Sequence, residues 1–226
     1  MKPYLLLRAD ELAEERPTGQ VDDVHFTEAL AASVVSDASS AGDLVLDPFA
    51  GYGTTLAVAT RLGRSAVGVE LLAEHAALCR RRAPAATVVE GDARKLGDVL
   101  VGVVDRPVDL VLTSPPYMTG VGHPENALTG YATEDGHYPT YLREMSEVFA
   151  QVAGLLRPGG QAVVNVANLV SASGTGSPRT DVVTPLAWDV GRVVAQHLTF
   201  RGETFLCWDR HPPGHAGDYL LWFTKP

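Results

Sequence analysis

Cysteine is scarce in this 226-residue chain, which contains only Cys79 and Cys207. Two thiols are too few for a disulfide framework or a thiolate metal site, so the expected compartment is a reducing cytoplasm. No apolar run approaches the roughly 18 residues that a membrane-spanning helix needs. The short apolar patch near the N-terminus is followed at once by charged residues, unlike a secretory signal. We therefore expect no membrane segment.

Positive charge is also in short supply. The chain has 18 Lys and Arg residues against 27 Asp and Glu residues, which gives a formal net charge of −9. Affinity for duplex DNA comes largely from cationic side chains that neutralise phosphates. The charge balance therefore predicts only weak intrinsic binding of duplex DNA.

What the sequence does contain is a regular alternation of apolar strand segments with helical segments. This alternation predicts an α/β fold with a mostly parallel sheet covered by helices on both faces. The last two strands are close together in sequence and are expected to form an antiparallel pair at one edge. Residues 1–23 are interpreted as an N-terminal extension and residues 24–226 as one domain. The predicted strands are 44–46, 65–70, a segment ending near Asp92, 108–113, 161–169, 203–210 and 218–226, and the predicted helices are 24–38, 54–62, 71–82, 138–156 and 185–197.

Polar side chains follow four of the predicted strands at the point where each strand ends. They are Asp47, Glu70, Asp92 and Ser114. The carboxyl ends of parallel strands lie along one edge of a sheet, and the crevice where the strand order reverses binds ligands. We therefore expect these four groups to converge on one site.

The loop "DPFAGYGTT" predicts a site for a nucleoside with a cationic tail. Gly51 and Gly53 allow a tight turn before a helix N-terminus, and Glu70 lies 19 positions after Gly51, where acidic residues meet ribose hydroxyls. Leu56 stands where a dinucleotide fingerprint would have its third glycine. Asp47 would repel a pyrophosphate but attract an ammonium group. S-adenosylmethionine fits these features better than a dinucleotide or ATP.

The segment "LVLTSPPYMTG" ends a buried strand in an unusual way. Pro115 and Pro116 donate no backbone hydrogen bond and cannot continue a central strand. Strand exits often carry proline, and Tyr117 could be an ordinary rim residue. Either a simple strand end or a rigid polar and aromatic functional tip accounts for the segment on its own.

Together, "DPFAGYGTT" and "TSPPY" closely resemble the two signatures of the DNA amino-methyltransferases that act on cytosine N4 or adenine N6. The likeness extends over roughly residues 24–226 and includes "GRSAVGVE", "LLRPGGQAVVNV" and "DYLLWFTKP". The resemblance implies a Rossmann-like S-adenosylmethionine-dependent methyltransferase fold and an enzyme that methylates an exocyclic amine. The Ser-led form is most similar to the cytosine-N4 members.

The resemblance also implies a role for each matched residue. Asp47 and its neighbours would hold the methionine part of the cofactor, Glu70 the ribose hydroxyls and Asp92 the adenine amine. Phe26 falls where the family has another methionine-contacting segment, although a core aromatic is an equally good interpretation. The cofactor-binding residues implied are Phe26, Asp47, Phe49, Gly51, Gly53, Thr54, Glu70, Asp92 and Thr113, and the catalytic residues implied are Ser114, Pro115, Pro116 and Tyr117.

The chemistry of an aromatic amine accounts for "TSPPY". Such an amine is a poor nucleophile because its lone pair is delocalised into the ring. The Ser114 hydroxyl and the Pro115 carbonyl can accept its N–H bonds, and the two prolines hold that carbonyl rigidly. Tyr117 offers a face on which an extruded base can stack. No strong base is needed before attack, since the methyl group already sits on a sulfonium.

The acceptor remains open between a nucleobase and a small heterocyclic amine. The DNA-specific relatives usually carry a separate target-recognition region, and here only the segments 118–137 and 170–182 are spare. The first contains Glu125, Glu134 and Asp135 and no Lys or Arg. We therefore expect an unpaired or partner-presented base, or a free heterocycle. A non-catalytic methyltransferase-like binding module is the alternative from another class.

Two further clusters are assigned no function. Cys207, His211 and His215 are spaced like metal ligands, but no fourth ligand is evident, so no metal is expected. Three arginines end the helix at Arg82, where cations suit the helix dipole. We interpret them as a solvated helix end rather than a nucleic-acid patch.

Overall fold

The structure is a computed structural model that describes residues 1–18, 26–116, 138–171, 182–210 and 215–226. Its strands are β1 (Tyr4–Leu7), β2 (Leu44–Asp47), β3 (Ser65–Glu70), β4 (Thr87–Glu90), β5 (Val108–Thr113), β6 (Leu156–Ser171), β7 (Val182–Thr184), β8 (Thr199–Trp208) and β9 (His215–Thr224). Its helices are α1 (Ala9–Glu14), α2 (Glu28–Ala38), α3 (Thr54–Arg61), α4 (Ala73–Arg82), α5 (Leu96–Val99), α6 (Tyr138–Leu155) and α7 (Leu186–Val194).

The strands form one sheet in the order β1-β8-β9-β6-β5-β2-β3-β4, and β7 pairs with the far end of β6. Neighbours from β6 to β4 are parallel, whereas β9 is antiparallel to both β6 and β8. The predicted mostly parallel sheet and its antiparallel pair are therefore confirmed. The strand order reverses between β2 and β5, so the ligand crevice expected of such a sheet lies at their carboxyl ends.

Helices cover both faces of the sheet. On one face, α2 and α3 bury Leu30, Val35 and Leu56 against β2 and β5. On the other, α6 and α7 bury Phe149 and Val190 in a second cluster that includes the opposite side chains of the same strands. Both clusters are needed because parallel strands present apolar side chains on both faces.

Several element boundaries differ from the predictions. Helix α2 begins at Glu28 because the Thr27 hydroxyl accepts a hydrogen bond from the Leu30 amide (3.2 Å) and caps the helix. The 156–160 segment, predicted to close α6, already belongs to β6, and the pairing with β5 shifts register there. Within the segment predicted as an extension, β1 adds a parallel strand outside β8. No sequence signal indicated that pairing.

Candidate active site

The carboxyl ends of β2 and β5 are joined through Asp47. The Thr113 hydroxyl, at the end of β5, donates a hydrogen bond of 2.6 Å to Asp47 Oδ1, and the Phe49 amide donates another of 3.1 Å to the same atom. Asp47 is only 2% exposed and Thr113 is fully buried. The two signature segments of the sequence therefore meet by a direct side-chain contact.

The Asp47 carboxyl is held in an environment that opposes its charge. Burial raises the pKa of Asp47 to about 6, and hydrogen bonds from Thr113, Thr55 and the Phe49 amide only partly offset that effect. These donors are all neutral. Since the described residues offer this carboxylate only neutral donors, an incoming cation would balance its charge.

The glycine turn after Asp47 is required by its backbone. Gly51 and Gly53 have φ of 51° and 82°, in the left-handed region. Gly53 is the N-cap residue that precedes α3, and a Cβ there would lie 2.6 Å from Cys79 Sγ on α4. The turn can therefore pass close to α4 only with glycine at this position.

Glu70 connects the same turn to the end of β3. Its Oε2 accepts a hydrogen bond from the Gly51 amide (2.8 Å) and its Oε1 one from the Leu72 amide (2.9 Å). Burial raises the pKa of Glu70, although these amides oppose the shift. A carboxylate oxygen has a second acceptor position. Glu70 can therefore support the glycine turn and still accept hydroxyl donors.

A pocket of about 250 Å³, including its open mouth, lies at this crevice. Four residues from the predicted cofactor set and the predicted catalytic serine line it, together with two residues that sequence reasoning missed. The lining residues are Phe26, Asp47, Phe49, Ala50, Thr54, Thr55 and Ser114. The pocket thus combines two aromatic side chains, one buried carboxyl and several hydroxyls, which suits a ligand with an apolar part and a cationic end.

The strand end after Thr113 has the predicted polar tip. Ser114 is half-buried and faces the pocket, Pro115 is buried and Pro116 is half-buried. Tyr117 lies outside the described residues, as do 118–137 and most of 170–182. The structure therefore brings Ser114 to the pocket that Asp47 lines, and the stacking role of Tyr117 stays a prediction.

Asp92 lies two residues beyond β4 and has a different environment. Partial burial would raise the pKa of Asp92, but hydrogen bonds from Arg94 outweigh it and lower that pKa. The carboxylate accepts a hydrogen bond of 2.7 Å from Arg94 Nη2. Asp92 and Glu70 are not among the residues that line the pocket at Asp47. They stand beside it at the ends of the next two strands.

Thr55 and Arg82 are the site residues that sequence reasoning misjudged. The Thr55 hydroxyl donates to the Leu112 carbonyl (3.4 Å), so it bridges α3 and β5. Its signal was the second threonine of "GTT". The interpretation of Arg82 as a solvated helix end is wrong. Its guanidinium donates a hydrogen bond of 3.0 Å to Thr54 Oγ1 and one of 2.9 Å to Glu28 Oε1. It therefore fixes a residue of the pocket wall.

Two kinds of feature are absent from the described residues. Within these ranges, no cluster of three His, Cys, Asp or Glu side chains could hold a metal ion. His211, one of the three residues spaced like metal ligands, is outside them. Likewise, no described helix is long and apolar enough to span a membrane.

Part of the chain is similar to known DNA methylases. A family model described as DNA methylase, of the N6/N4 methyltransferase type, matches residues 13–81. The DNA adenine methyltransferase YhdJ of Escherichia coli (strain K12) is 46% identical over 55 residues, which cover 24% of this chain and 19% of that enzyme. The matched stretch thus spans about a fifth of the curated relative. These matches confirm the resemblance for the part of the chain that holds "DPFAGYGTT"; "TSPPY" lies outside residues 13–81.

Solved structures match over most of the chain. TrmN from Thermus thermophilus has a TM-score of 0.60 at 20% identity, over 89% of this chain and 49% of its own. The glycopeptide N-methyltransferase MtfA, solved with S-adenosyl-L-methionine, has a TM-score of 0.56 at 15% identity, over 93% of this chain and 99% of its own. At such identities the likeness shows the fold, and it confirms the predicted Rossmann-like methyltransferase fold.

Proposed function

We propose, on the premise that this chain is related to the DNA amino-methyltransferases that its N-terminal third matches, that it is an S-adenosylmethionine-dependent N-methyltransferase. Its acceptor is the exocyclic amine of a nucleobase, of the cytosine-N4 or adenine-N6 type. One observation carries the proposal: the Thr113–Asp47 hydrogen bond joins the cofactor loop to the strand end whose Ser114 lines the same pocket.

The pocket residues fit the proposed cofactor. Asp47 is a buried carboxyl surrounded by neutral donors, so it suits an ammonium group such as that of a methionine tail. Phe26 and Phe49 provide apolar surface beside it. Glu70 would hold the ribose hydroxyls through its remaining acceptor positions. When bound, S-adenosylmethionine supplies a methyl group on a positively charged sulfur, which leaves as a neutral thioether.

The chain's own residues prepare the acceptor. Ser114 Oγ and the Pro115 carbonyl accept the two N–H bonds of the amine, which draws its lone pair out of conjugation and toward the methyl group. The nitrogen then forms the N–C bond, and its surplus proton passes to water. Tyr117 would stack on the ring. Because burial fixes Pro115 and Thr113, the acceptor groups need no reorganisation during the reaction.

The test is methyl transfer from labelled S-adenosylmethionine to single-stranded DNA, duplex DNA, RNA and small aromatic amines. Ser114→Ala should lower turnover about 10²–10³-fold with little change in cofactor affinity, since its hydrogen bond forms in the transition state. Ser65→Ala removes an exposed hydroxyl at the opposite end of β3 and is the matched control. If Ser114→Ala lost as much cofactor affinity as turnover, "TSPPY" would be interpreted as a structural strand end.

A small heterocyclic amine is the second candidate acceptor. It is favoured by the net charge of −9 and by the three acids and absent cations of 118–137. We propose weak duplex binding, in the range of about 10⁻⁴–10⁻⁶ M at physiological salt. Nanomolar duplex binding with a steep salt dependence would contradict both this range and the second candidate. Transfer to no amine, with tight cofactor binding, would favour a non-catalytic binding module.

The compartment we propose is the cytoplasm. The two cysteines are free thiols, Cys79 buried and Cys207 exposed, which agrees with a reducing environment.

A further inference from the structure

Arg94 clamps the Asp92 carboxylate with both its main chain and its side chain. The Arg94 amide donates a hydrogen bond of 2.9 Å to Asp92 Oδ1, where Asp92 caps the short 3₁₀ turn Ala93–Lys95. The guanidinium folds back so that Nε lies 2.9 Å and Nη2 2.7 Å from Oδ2. Both carboxylate oxygens are therefore fixed by a single residue.

Arg94 is itself held by α6 rather than by its own loop. Its Nη1 lies 3.3 Å from Glu144 Oε1, and Glu144 is only 8% exposed. The Gln151 side-chain amide donates a hydrogen bond of 2.9 Å to the Arg94 carbonyl. Helix α6 thus holds the guanidinium through Glu144 and the Arg94 main chain through Gln151, and the guanidinium sets how the Asp92 carboxylate is turned.

The clamp determines which ligand group Asp92 can accept. A carboxylate has about four acceptor positions, and three N–H groups of Arg94 already approach it, with Nε shared between Oδ1 (3.1 Å) and Oδ2 (2.9 Å). The remaining capacity suits a single donor. Arg94 also neutralises the charge of Asp92, so a second cation gains little there. A neutral N–H donor in a defined direction, such as the 6-amino group of adenine, fits both conditions.

The position of Asp92 agrees with this ligand group. Residues Asp47 and Glu70 end neighbouring parallel strands, and Glu70 is in register with Glu90 at the end of β4. Strands lie about 4.8 Å apart, so β4 stands roughly 10 Å from β2. A cofactor whose ammonium group is at Asp47 and whose ribose is at Glu70 would bring its base to the end of β4.

We infer that Arg94 is a positioning residue that turns Asp92 toward the 6-amino group of adenine and thereby sets a preference for adenine over a 6-oxo purine. This inference rests on the proposed function, because it takes the cofactor to be S-adenosylmethionine. Arg94 touches Asp92 and not the base.

The experiment measures the dissociation constants of S-adenosylhomocysteine and of S-inosylhomocysteine by calorimetry. The wild type should prefer the adenine compound at least about tenfold, since it alone has an N–H donor at position 6, where the inosine compound presents an oxygen to the charged acceptor. Arg94→Gln should reduce this ratio to near unity. Arg94→Lys should do nearly the same, because lysine keeps the charge but cannot form the two-pronged contact. Arg81→Gln, at an exposed arginine of α4, should leave the ratio unchanged.

A purely structural Arg94 would weaken both compounds equally and leave the ratio intact, which would overturn the inference. A ratio that falls in Asp92→Asn but not in Arg94→Gln would overturn it as well. If Arg94→Gln does not fold, Glu144→Gln serves instead: it removes the ionic partner of Arg94 and should lower the ratio part of the way, and an unchanged ratio there counts against the inference.

The wild-type measurement separates this inference from the proposed function. If the wild type binds the adenine compound while Asp92→Asn keeps the full ratio, the adenine contact lies elsewhere and the proposed cofactor stands. If the wild type binds neither compound, the proposed cofactor and the inference both fail.

Discussion

Two acidic residues at the ends of nearby strands have opposite surroundings. Asp47 is buried among neutral donors, and burial raises its pKa to about 6. Asp92 is partly exposed, and the Arg94 clamp lowers its pKa in spite of partial burial. In the part of the chain that the structure describes, Asp47 is bound by neutral donors, whereas Asp92 is bound by the cationic Arg94.

The contrast shows how one row of strand ends can receive different parts of one ligand. A carboxylate that lacks a cation attracts the cationic end, and a neutralised carboxylate accepts a neutral donor. Of these two carboxyl groups, only Asp47 lowers the stability of the folded protein when it ionises. Binding of a cation would recover the energy of ionising Asp47 among neutral hydrogen-bond donors.

The largest effect is expected where the chain turns beneath Asp47. Gly53→Val should destabilise the protein by about 2–5 kcal/mol and abolish cofactor binding. A side chain at its φ of 82° costs about 1–2 kcal/mol, and a Cβ 2.6 Å from Cys79 Sγ adds about 1–3 kcal/mol of overpacking. Denaturant unfolding and calorimetry measure both effects.

The matched control for this variant is Gly102→Val. Gly102 has a φ of 72°, and a Cβ there would meet no atom within 4 Å. It should therefore lose only the backbone contribution of about 1–2 kcal/mol and keep cofactor affinity. Equal destabilisation by the two substitutions would mean that the close approach to α4 is unimportant.

A smaller effect is expected from Asp47→Asn, which should stabilise the protein at pH 7, whereas Gly53→Val destabilises it. The folded pKa of Asp47 is about 6 against a reference of 3.8, so the unfolded chain ionises first as pH rises. Stability is therefore lost between about pH 4 and 6, by about 3 kcal/mol at this residue. Asp47→Asn should be more stable than the wild type at pH 7 and nearly equal to it at pH 4.

The same substitution should weaken cofactor binding by at least about thirtyfold, as expected for removing one partner of a buried charge pair. Unfolding of both proteins across pH 4–7.5, together with S-adenosylhomocysteine titrations, measures the two effects. A wild type more stable than Asp47→Asn at pH 7 would contradict the conclusion that burial opposes the charge of this carboxyl.

The smallest effect is expected from Asp92→Asn. The pKa of Asp92 is lowered in the folded state, so its contribution to stability is present above the reference value of 3.8 and is lost as pH falls through the folded pKa. Because the group is partly exposed, solvent screening keeps the loss at pH 7 under about 1 kcal/mol. The change in unfolding free energy caused by Asp92→Asn should therefore vary with pH in the opposite direction to that caused by Asp47→Asn. If unfolding measured across pH gave the same direction for both variants, the two carboxyl groups would not differ as described.

The sequence was sufficient for the strand ends but not for the contacts behind them. Asp47, Glu70 and Ser114 could be placed at one edge because apolar strands end visibly and parallel strands share an edge. The pairing of Thr113 with Asp47 joins residues 66 positions apart, and no local pattern contains it. The same holds for Arg82, whose partners Thr54 and Glu28 are 28 and 54 positions away.

Local rules also missed one strand and shortened another. The four-residue strand β1 could not be recognised because its partner β8 lies about 200 positions later. The proline and glycines at 158–160 indicated a loop, but the structure accommodates them in β6, where Gly159 has a φ of 72° and its amide donates to the Lys225 carbonyl (3.0 Å).

The pairing of β1 with β8 has a consequence for the order of folding. Tyr4 is in register with Phe205, and the Ala9 amide donates a hydrogen bond of 2.8 Å to Asp209 Oδ1, so β1 pairs with a strand that is synthesised about 200 residues later. Strands β2 to β5 find one another within residues 44–113 and close much shorter loops. During synthesis, the crevice at Asp47 can therefore form before β1 has its partner. Until β8 is made, the backbone hydrogen-bonding groups of β1 remain available for pairing with other chains.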